Sequence, residues 1–276
     1  PIIGWMHEIG DLTREDALSF YRRHYAPNNA LLIVAGDVTL DEVLKLASDT
    51  YAKVPNNPQV KPYKRPTEPP AKAARRVELI DARAGEPILQ RYYLAPSYTS
   101  AKGREAEALD LLMKVAASGS TSKLYRELVV KQKIASSAGG YYAGHGKEYG
   151  KIVFYGVPAR GATIEQLEAG IDAVIADVIA NGVTEAELER AKRVYIADYV
   201  YESDNQSTLA RRYGFGLVVG QTVEQIENWP DEIRKVTLDD VKAAAARYFN
   251  AKASVTGHLL PKPRKEAAAS GEKDRS

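Results

Sequence analysis

Between residues 104 and 117 the apolar side chains Ala106, Leu109, Met113 and Ala116 recur every three to four positions, the spacing that lines one face of a helix. Residues 77–81 and 88–95 alternate instead and are rich in β-branched and aromatic side chains, which predicts strands. A second helix is predicted from about Ser122 to Lys133. Two more strands, 136–143 and 151–157, flank the glycine-rich AGHGKEYG and predict a hairpin. Helices beginning at Thr13 and Thr237 each lead into an extended apolar run, 30–36 and 253–259, read here as strands. Four openings, Thr39 with Glu42, Thr163 with Gln166, Thr184 with Glu187 and Thr222 with Gln225, fit the capping box. Strands followed by helices predict an α+β fold, an antiparallel sheet with helices packed on one face.

The pattern also repeats. The stretch LTREDALSFYRRHYAPNNALLIVAG, residues 12–36, returns in altered form from Val236 as VTLDDVKAAAARYFNAKASVTG. Thr13 falls on Thr237, Asp16 on Asp240 and His24-Tyr25 on Tyr248-Phe249, all at an offset of 224 residues. Two related domains that end alike are expected, with only the end of the first at hand; a full first copy would need roughly 190 more residues upstream. The chain opens on Pro1, without an initiator Met or signal sequence, and reads as the C-terminal piece of a longer protein. Six of the fourteen prolines fall within residues 54–72, which predicts a semi-rigid extended linker. The expected organisation is therefore a remnant of a first domain over 1–54, a proline-rich linker over 55–75, a second domain over 76–260 and a disordered tail over 261–276.

Composition narrows the partners. The net charge of +2 resides in the last sixteen residues, and the body balances 33 basic against 33 acidic side chains, so no electrostatic footprint for nucleic acid is present. No apolar run approaches the roughly 18–20 residues of a membrane span. The absence of cysteine excludes disulfides, thiolate catalysis and Cys-ligated zinc.

Candidate chemistry is sparse. His145-Gly-Lys-Glu148-Tyr149 resembles a zinc-binding H-x-x-E-H only until its fifth residue, and its flanking glycines predict a turn rather than the helix that would align two ligands. His24 sits at a helix end opposite Tyr248 of the repeat and reads as packing, while His7 and His258 have no ligand neighbour in sequence. The small-residue loop 117–125 opens a helix, where free backbone N–H groups suit an anion or a peptide carbonyl, although the sequence alone favours an ordinary capped turn between two helices. Its Ser118, Gly119, Ser120, Ser122, Lys123 and Tyr125, with Tyr141 and Tyr142 of the hairpin, are the substrate-binding candidates. Tyr195 and Tyr199, four apart on one helix, are expected in the core.

At this point the pieces resemble a known family. Pro1-Ile-Ile-Gly4, Leu12-Thr13 and the run from Phe20 through Asn29 into Leu32-Ile-Val-Ala-Gly-Asp-Val38 closely resemble the close of the catalytic domain in M16 zinc peptidases, the family of pitrilysin and the mitochondrial processing peptidases. Ser120-Thr-Ser-Lys-Leu-Tyr125 resembles that family's second-domain S-R-L-Y segment. The resemblance implies duplicated α+β domains around a peptide chamber, with the zinc ligands in the half upstream of Pro1. It implies zinc in the whole protein but none held by this chain, and no hydrolysis by this chain alone. An extended peptide adding to a sheet edge is the implied substrate. Many members place an Arg and a Tyr seven apart after S-R-L-Y, where Val129 and Ser136 stand here. That departure implies a homo- or heterodimer in which an M16-like subunit supplies the pair. Members without the zinc motif imply the alternative, a non-catalytic scaffold or peptide-binding subunit. Bacterial members favour the periplasm over the cytoplasm.

Overall fold

In the computed structural model, each threonine flagged above closes its capping box. The backbone N–H groups of Thr39, Thr163, Thr184 and Thr222 donate to the side chains of Glu42, Gln166, Glu187 and Gln225 at 2.8–2.9 Å. The threonine hydroxyls accept in return at 3.1–3.3 Å. Thr13 with Asp16 and Thr237 with Asp240 do the same with a shorter acid. Reciprocal bonding satisfies two donors that a helix start otherwise leaves unpaired.

The structure describes residues 3–61, 69 and 71–262. Residues 62–68 and 70 of the predicted linker, and the predicted tail from residue 263 onward, lie outside them. The chain divides into two units, Pro1–Pro69 with Val200–Val218 and Pro70–Tyr199 with Val219–Ser276.

The first unit contains α1 (Met6–Asp11), α2 (Arg14–His24) and α3 (Leu40–Asp49), none of which buries a residue. Residues 30–36, expected as a strand, form no ladder among the described residues. A strand is completed by neighbours, and this unit offers the run none. Asn28 and Asn57 exchange two hydrogen bonds of 3.0 Å, and Asn57 Nδ2 donates to the Arg22 carbonyl at 2.7 Å.

The second unit carries the core. Its elements are β1 (Arg75–Asp81), β2 (Ile88–Pro96), α4 (Glu105–Ala116), α5 (Lys123–Tyr125), β3 (Ala135–Ala143), β4 (Tyr149–Pro158) and α6 (Ile164–Asn181). α7 (Glu185–Ser203) follows, and its end with nearly all of α8 (Gln206–Val219) belongs to the first unit; the second unit resumes with α9 (Val223–Glu227), α10 (Trp229–Lys235), α11 (Leu238–Tyr248) and β5 (Ser254–Pro261). The sheet runs β1-β5-β2-β4-β3. Its pairings are antiparallel except β1 with β5, which is parallel and departs from the all-antiparallel expectation. The geometry requires this: β1 and β2 run in opposite directions one strand-width apart, and a strand filling that slot must be parallel to one of them.

Inward residues alternate along β2, where Leu89, Arg91, Tyr93 and Ala95 are buried and the intervening positions are not. Leu89, Tyr93 and Ala95 join one core with Leu109, Leu112 and Met113 of α4, Leu167 and Ile171 of α6, and Val241 of α11. Phe154 of β4 is fully buried and meets Phe249 edge-on, ring centroids 5.4 Å apart.

The predicted helix 122–133 changes character partway. One α-turn passes into a π-helix over Arg126–Lys131, with Gln132 N–H bonding to Glu127 O at 2.9 Å. The segment ends at Lys133, the one non-glycine residue with positive φ (56°) among those described. The wider turn keeps both Leu124 and Leu128 in the core, Leu128 lying against Gly170 of α6, where a Cβ would come within 2.7 Å of its Cδ2.

Candidate functional site

The loop after α4 is built around its own backbone. Gly119 takes φ 81°, a left-handed conformation that glycine adopts without steric penalty, and opens to free space. Ser122 is buried; its hydroxyl donates to Gly119 O at 2.8 Å and accepts from Tyr125 N at 3.3 Å, so it caps the short helix. Ser118 N–H bonds back to Met113 O, and Ser120 is exposed. Lys123 Nζ lies 3.6 Å from Glu187 and 3.9 Å from Asp177, and Tyr125 is half-buried. A backbone hydrogen bond joins the loop to the hairpin, Gly140 N–H to Ala117 O at 2.9 Å.

Tyr141 and Tyr142 point to opposite faces, as successive strand residues must. Tyr142 turns toward the helices, and its hydroxyl donates to the Pro96 carbonyl at 2.6 Å. Tyr141 lies on the other face, which has no helical layer among the described residues of this unit. There it joins the exposed Val77, Leu79, Leu94 and Tyr155. Tyr155 lies flat over Gly139, where a Cβ would meet its hydroxyl at 2.6 Å. Lys151 Nζ sits 5.7 Å from the Tyr92 ring centroid. The result is an apolar, tyrosine-rich sheet surface with few charges.

Val129 is half-buried in the π-helix. Ser136 is the extra residue of a β-bulge between Ala135 and Ser137, its hydroxyl 3.3 and 3.4 Å from the Val157 and Pro158 carbonyls. Bulges re-aim a side chain relative to the sheet. Of the sequence-flagged histidines, His24 packs on Phe20 (ring centroids 4.5 Å apart), and His145 stacks on Tyr98 at 5.4 Å.

Two polar clusters escape the sequence reading. In the first, Glu168 of α6 receives side chains from three adjacent strands. Arg76 of β1 donates to both its oxygens at 2.8 Å, Arg91 of β2 to one at 2.6 Å, and His258 of β5 lies 3.1 Å away. Arg91 also bonds to Asp172 and, at 2.9 Å, to Thr256. The one sequence signal is a charged residue at an inward position of an alternating strand. The second joins Tyr98, Asp110 and Trp229. Trp229 Nε1 donates to the Tyr98 hydroxyl at 2.6 Å, and that hydroxyl bonds to Asp110. Burial, reinforced by the charge of Glu107, lifts the Asp110 carboxyl to about 7, with the Tyr98 hydrogen bond opposing the rise.

Among the described residues no three His, Asp or Glu side chains gather where they could hold a metal ion. The residues present therefore do not fit the zinc that the resemblance implies, and no chemical step is assigned to a metal here.

A helix-backed five-stranded sheet with one open face, and a partial second copy of its closing helix and turn, define a duplicated α+β domain. The chain belongs to the M16 peptidases: the family model for the peptidase M16 inactive domain matches residues 11–195. It is 25% identical over 94% of its length to the zinc protease PqqE of Helicobacter pylori, and 26% identical over 91% to an uncharacterized zinc protease of Mycobacterium leprae. It spans 57% and 55% of those proteins. The crystal structure of a protease from Helicobacter pylori superposes with a TM-score of 0.87 at 25% identity, over 94% of this chain and 62% of that one. The first half of the periplasmic protease PqqL from Escherichia coli shares the fold, with a TM-score of 0.73 at 18% identity, over 94% of this chain and 57% of that one. No helix among the described residues is long and apolar enough to cross a membrane.

Proposed function

We propose that this chain is the C-terminal part of an M16-like zinc metalloendopeptidase, that it forms the non-metal wall of the peptide chamber, and that it hydrolyses nothing alone. The observation that carries this reading is the unfinished copy in the first unit. Helix α2 and the 3-10 turn Pro27–Asn29 match α11 and the turn Ala251–Ala253 residue for residue at the offset of 224. In the second unit α11 buries Val241, Ala244 and Ala245, whereas their equivalents Ala17, Phe20 and Tyr21 are exposed. The face those residues form lacks its partner layer, and an upstream catalytic half of the same polypeptide would supply it. The tyrosine-rich open sheet face supports the chamber-wall role, because extended peptides bind through main-chain bonds at an edge and side-chain contacts on such a surface. The candidate substrate contacts are Ser118, Gly119, Ser120, Lys123, Tyr125 and Tyr141, with Ser122 and Tyr142 supporting them from within.

The partner is an M16-like subunit that brings the Arg/Tyr pair absent at Val129 and Ser136, and the compartment is the periplasm. The test is hydrolysis of a quenched fluorescent peptide by this chain, by the complete protein, and by the complete protein with its M16-like partner. The expected result is no turnover by the chain, and full chelator-sensitive turnover only with the partner. Turnover by this chain alone refutes the assignment, and full turnover by the complete protein without a partner refutes the shared-site proposal. Peptide binding without turnover in every preparation would instead identify a non-catalytic scaffold.

A further inference from the structure

Four segments of the second unit converge on the Tyr98 hydroxyl. Tyr98 precedes α4, Asp110 lies on α4 and Trp229 opens α10. Tyr195 of α7 meets the Trp229 ring edge-on at 5.9 Å and donates to the Asp110 carbonyl at 3.3 Å, while Tyr199 stacks on Trp229 at 5.6 Å. The tip of the β3–β4 hairpin is tied to the same place. Tyr98 N–H bonds to Gly144 O at 3.0 Å, Thr99 Oγ1 to Gly146 O at 2.9 Å and Ser97 Oγ to Glu148 O at 3.0 Å. His145 covers the Tyr98 ring.

The carboxyl at the centre has poor support for a charge. The Tyr98 hydroxyl is the one side-chain donor shown to it, and Glu107 faces it from its own helix with an oxygen that is itself buried and unbonded. Glu232 of α10 and Asp198 of α7 add negative charge to the surroundings, and Tyr142 of β3 adds a neutral phenol. Lys114, one turn along α4, is engaged over the Tyr195 ring at 5.0 Å, and Arg104 faces Glu107. A half-buried carboxylate with one side-chain donor and acidic neighbours is disfavoured relative to its protonated form.

We propose that the Asp110–Tyr98–Trp229 junction is a proton-controlled latch, closed on the hairpin tip while Asp110 is protonated and admitting water when Asp110 ionises. The sign follows from linkage. A carboxyl whose folded pKa is raised binds more protons folded than unfolded, so its contribution to stability is complete below about 4 and is lost as pH rises through about 7. The latch would therefore change state across neutral pH and loosen the hairpin that carries Tyr141 and Tyr149.

The chain has two tryptophans, so Trp5→Phe leaves Trp229 as sole reporter. In that full-length background, Trp229 emission and acrylamide quenching are read from pH 5 to 9. The expected result is a red shift and greater quenching with a midpoint near neutral. Asp110→Asn should abolish the transition and raise the melting temperature above that of the parent at pH 8.5, with little difference at pH 5.5. Tyr98→Phe serves if the Asn variant does not fold; it should shift the midpoint while keeping the ring stack. His145→Gln should leave the transition in place. A flat parent profile, an unchanged midpoint in both Asp110→Asn and Tyr98→Phe, or loss of the transition in His145→Gln would each overturn the latch.

Discussion

Glu168 accepts from two guanidinium groups, so one carboxylate ties β1 and β2 to α6, with His258 of β5 lying 3.1 Å away. Removing one member of a buried ion cluster leaves the others uncompensated, a loss of about 3–5 kcal/mol. Glu168→Ala is expected to lower unfolding free energy by about 3 kcal/mol, because Asp172 still faces Arg91. Replacing the pair together, Arg91→Met with Glu168→Leu, should recover most of that in urea titrations; a double variant as weak as the single one would contradict the account. Lys133 makes the opposite case. Its φ of 56° places a side chain in the left-handed region, which disfavours L-residues by roughly 1–2 kcal/mol. Lys133→Gly should stabilise by about 0.5–1 kcal/mol, after the flexibility that glycine adds to the unfolded chain is subtracted. Neither site is legible in the sequence. Arg91 reads as a lone mismatch in an alternating strand, and its partners lie 77 and 81 positions away. Lys133 carries no local mark of a positive φ.

At the scale of elements the sequence speaks more clearly, because caps and periodicity are local. Four of the six threonine boxes, the hairpin and all five strands of the second unit are readable from spacing and turn chemistry. Pairing is not readable: β1 and β5 lie far apart in sequence and run parallel. Nor is the π-helix, which exists because Leu128 must reach Gly170. Gly170→Ala should push its new methyl into Leu128 and Ile134, destabilising by about 1–3 kcal/mol. If the π-turn is the adaptable partner, backbone amide shifts in that variant will concentrate in residues 126–134. Shifts spread evenly along α6 would mean the helix yields instead.

The same apolar alternation folds as a central strand at 254–261 and lies unpaired at 30–37, so strand formation belongs to the whole molecule rather than to the segment. Exposed Trp5, Met6, Leu12, Phe20, Leu40 and Leu46 make the first unit a surface that calls for cover. The chain alone should bind a polarity-sensitive dye strongly, and co-expression with the upstream half proposed above should remove most of that signal; a dark chain would refute the unfinished-copy reading. The candidate chamber face was only partly legible. Tyrosine enrichment pointed to the hairpin, but the two-residue alternation that separates Tyr141 from Tyr142 sends one hydroxyl to Pro96.

The slot between β1 and β2 has a consequence in time. Its occupant, β5, begins 173 residues after β1 ends (254 − 81). At ordinary synthesis rates that is an interval of roughly 10–35 s. Throughout it the nascent sheet is split, with β1 separated from β2 by a gap that no earlier strand can fill in register. A premature stop before Ser254 would leave a chain missing a central strand rather than a trimmed edge. Such a product has two unsatisfied strand edges facing each other, the kind of surface that quality-control proteases and holdase chaperones bind.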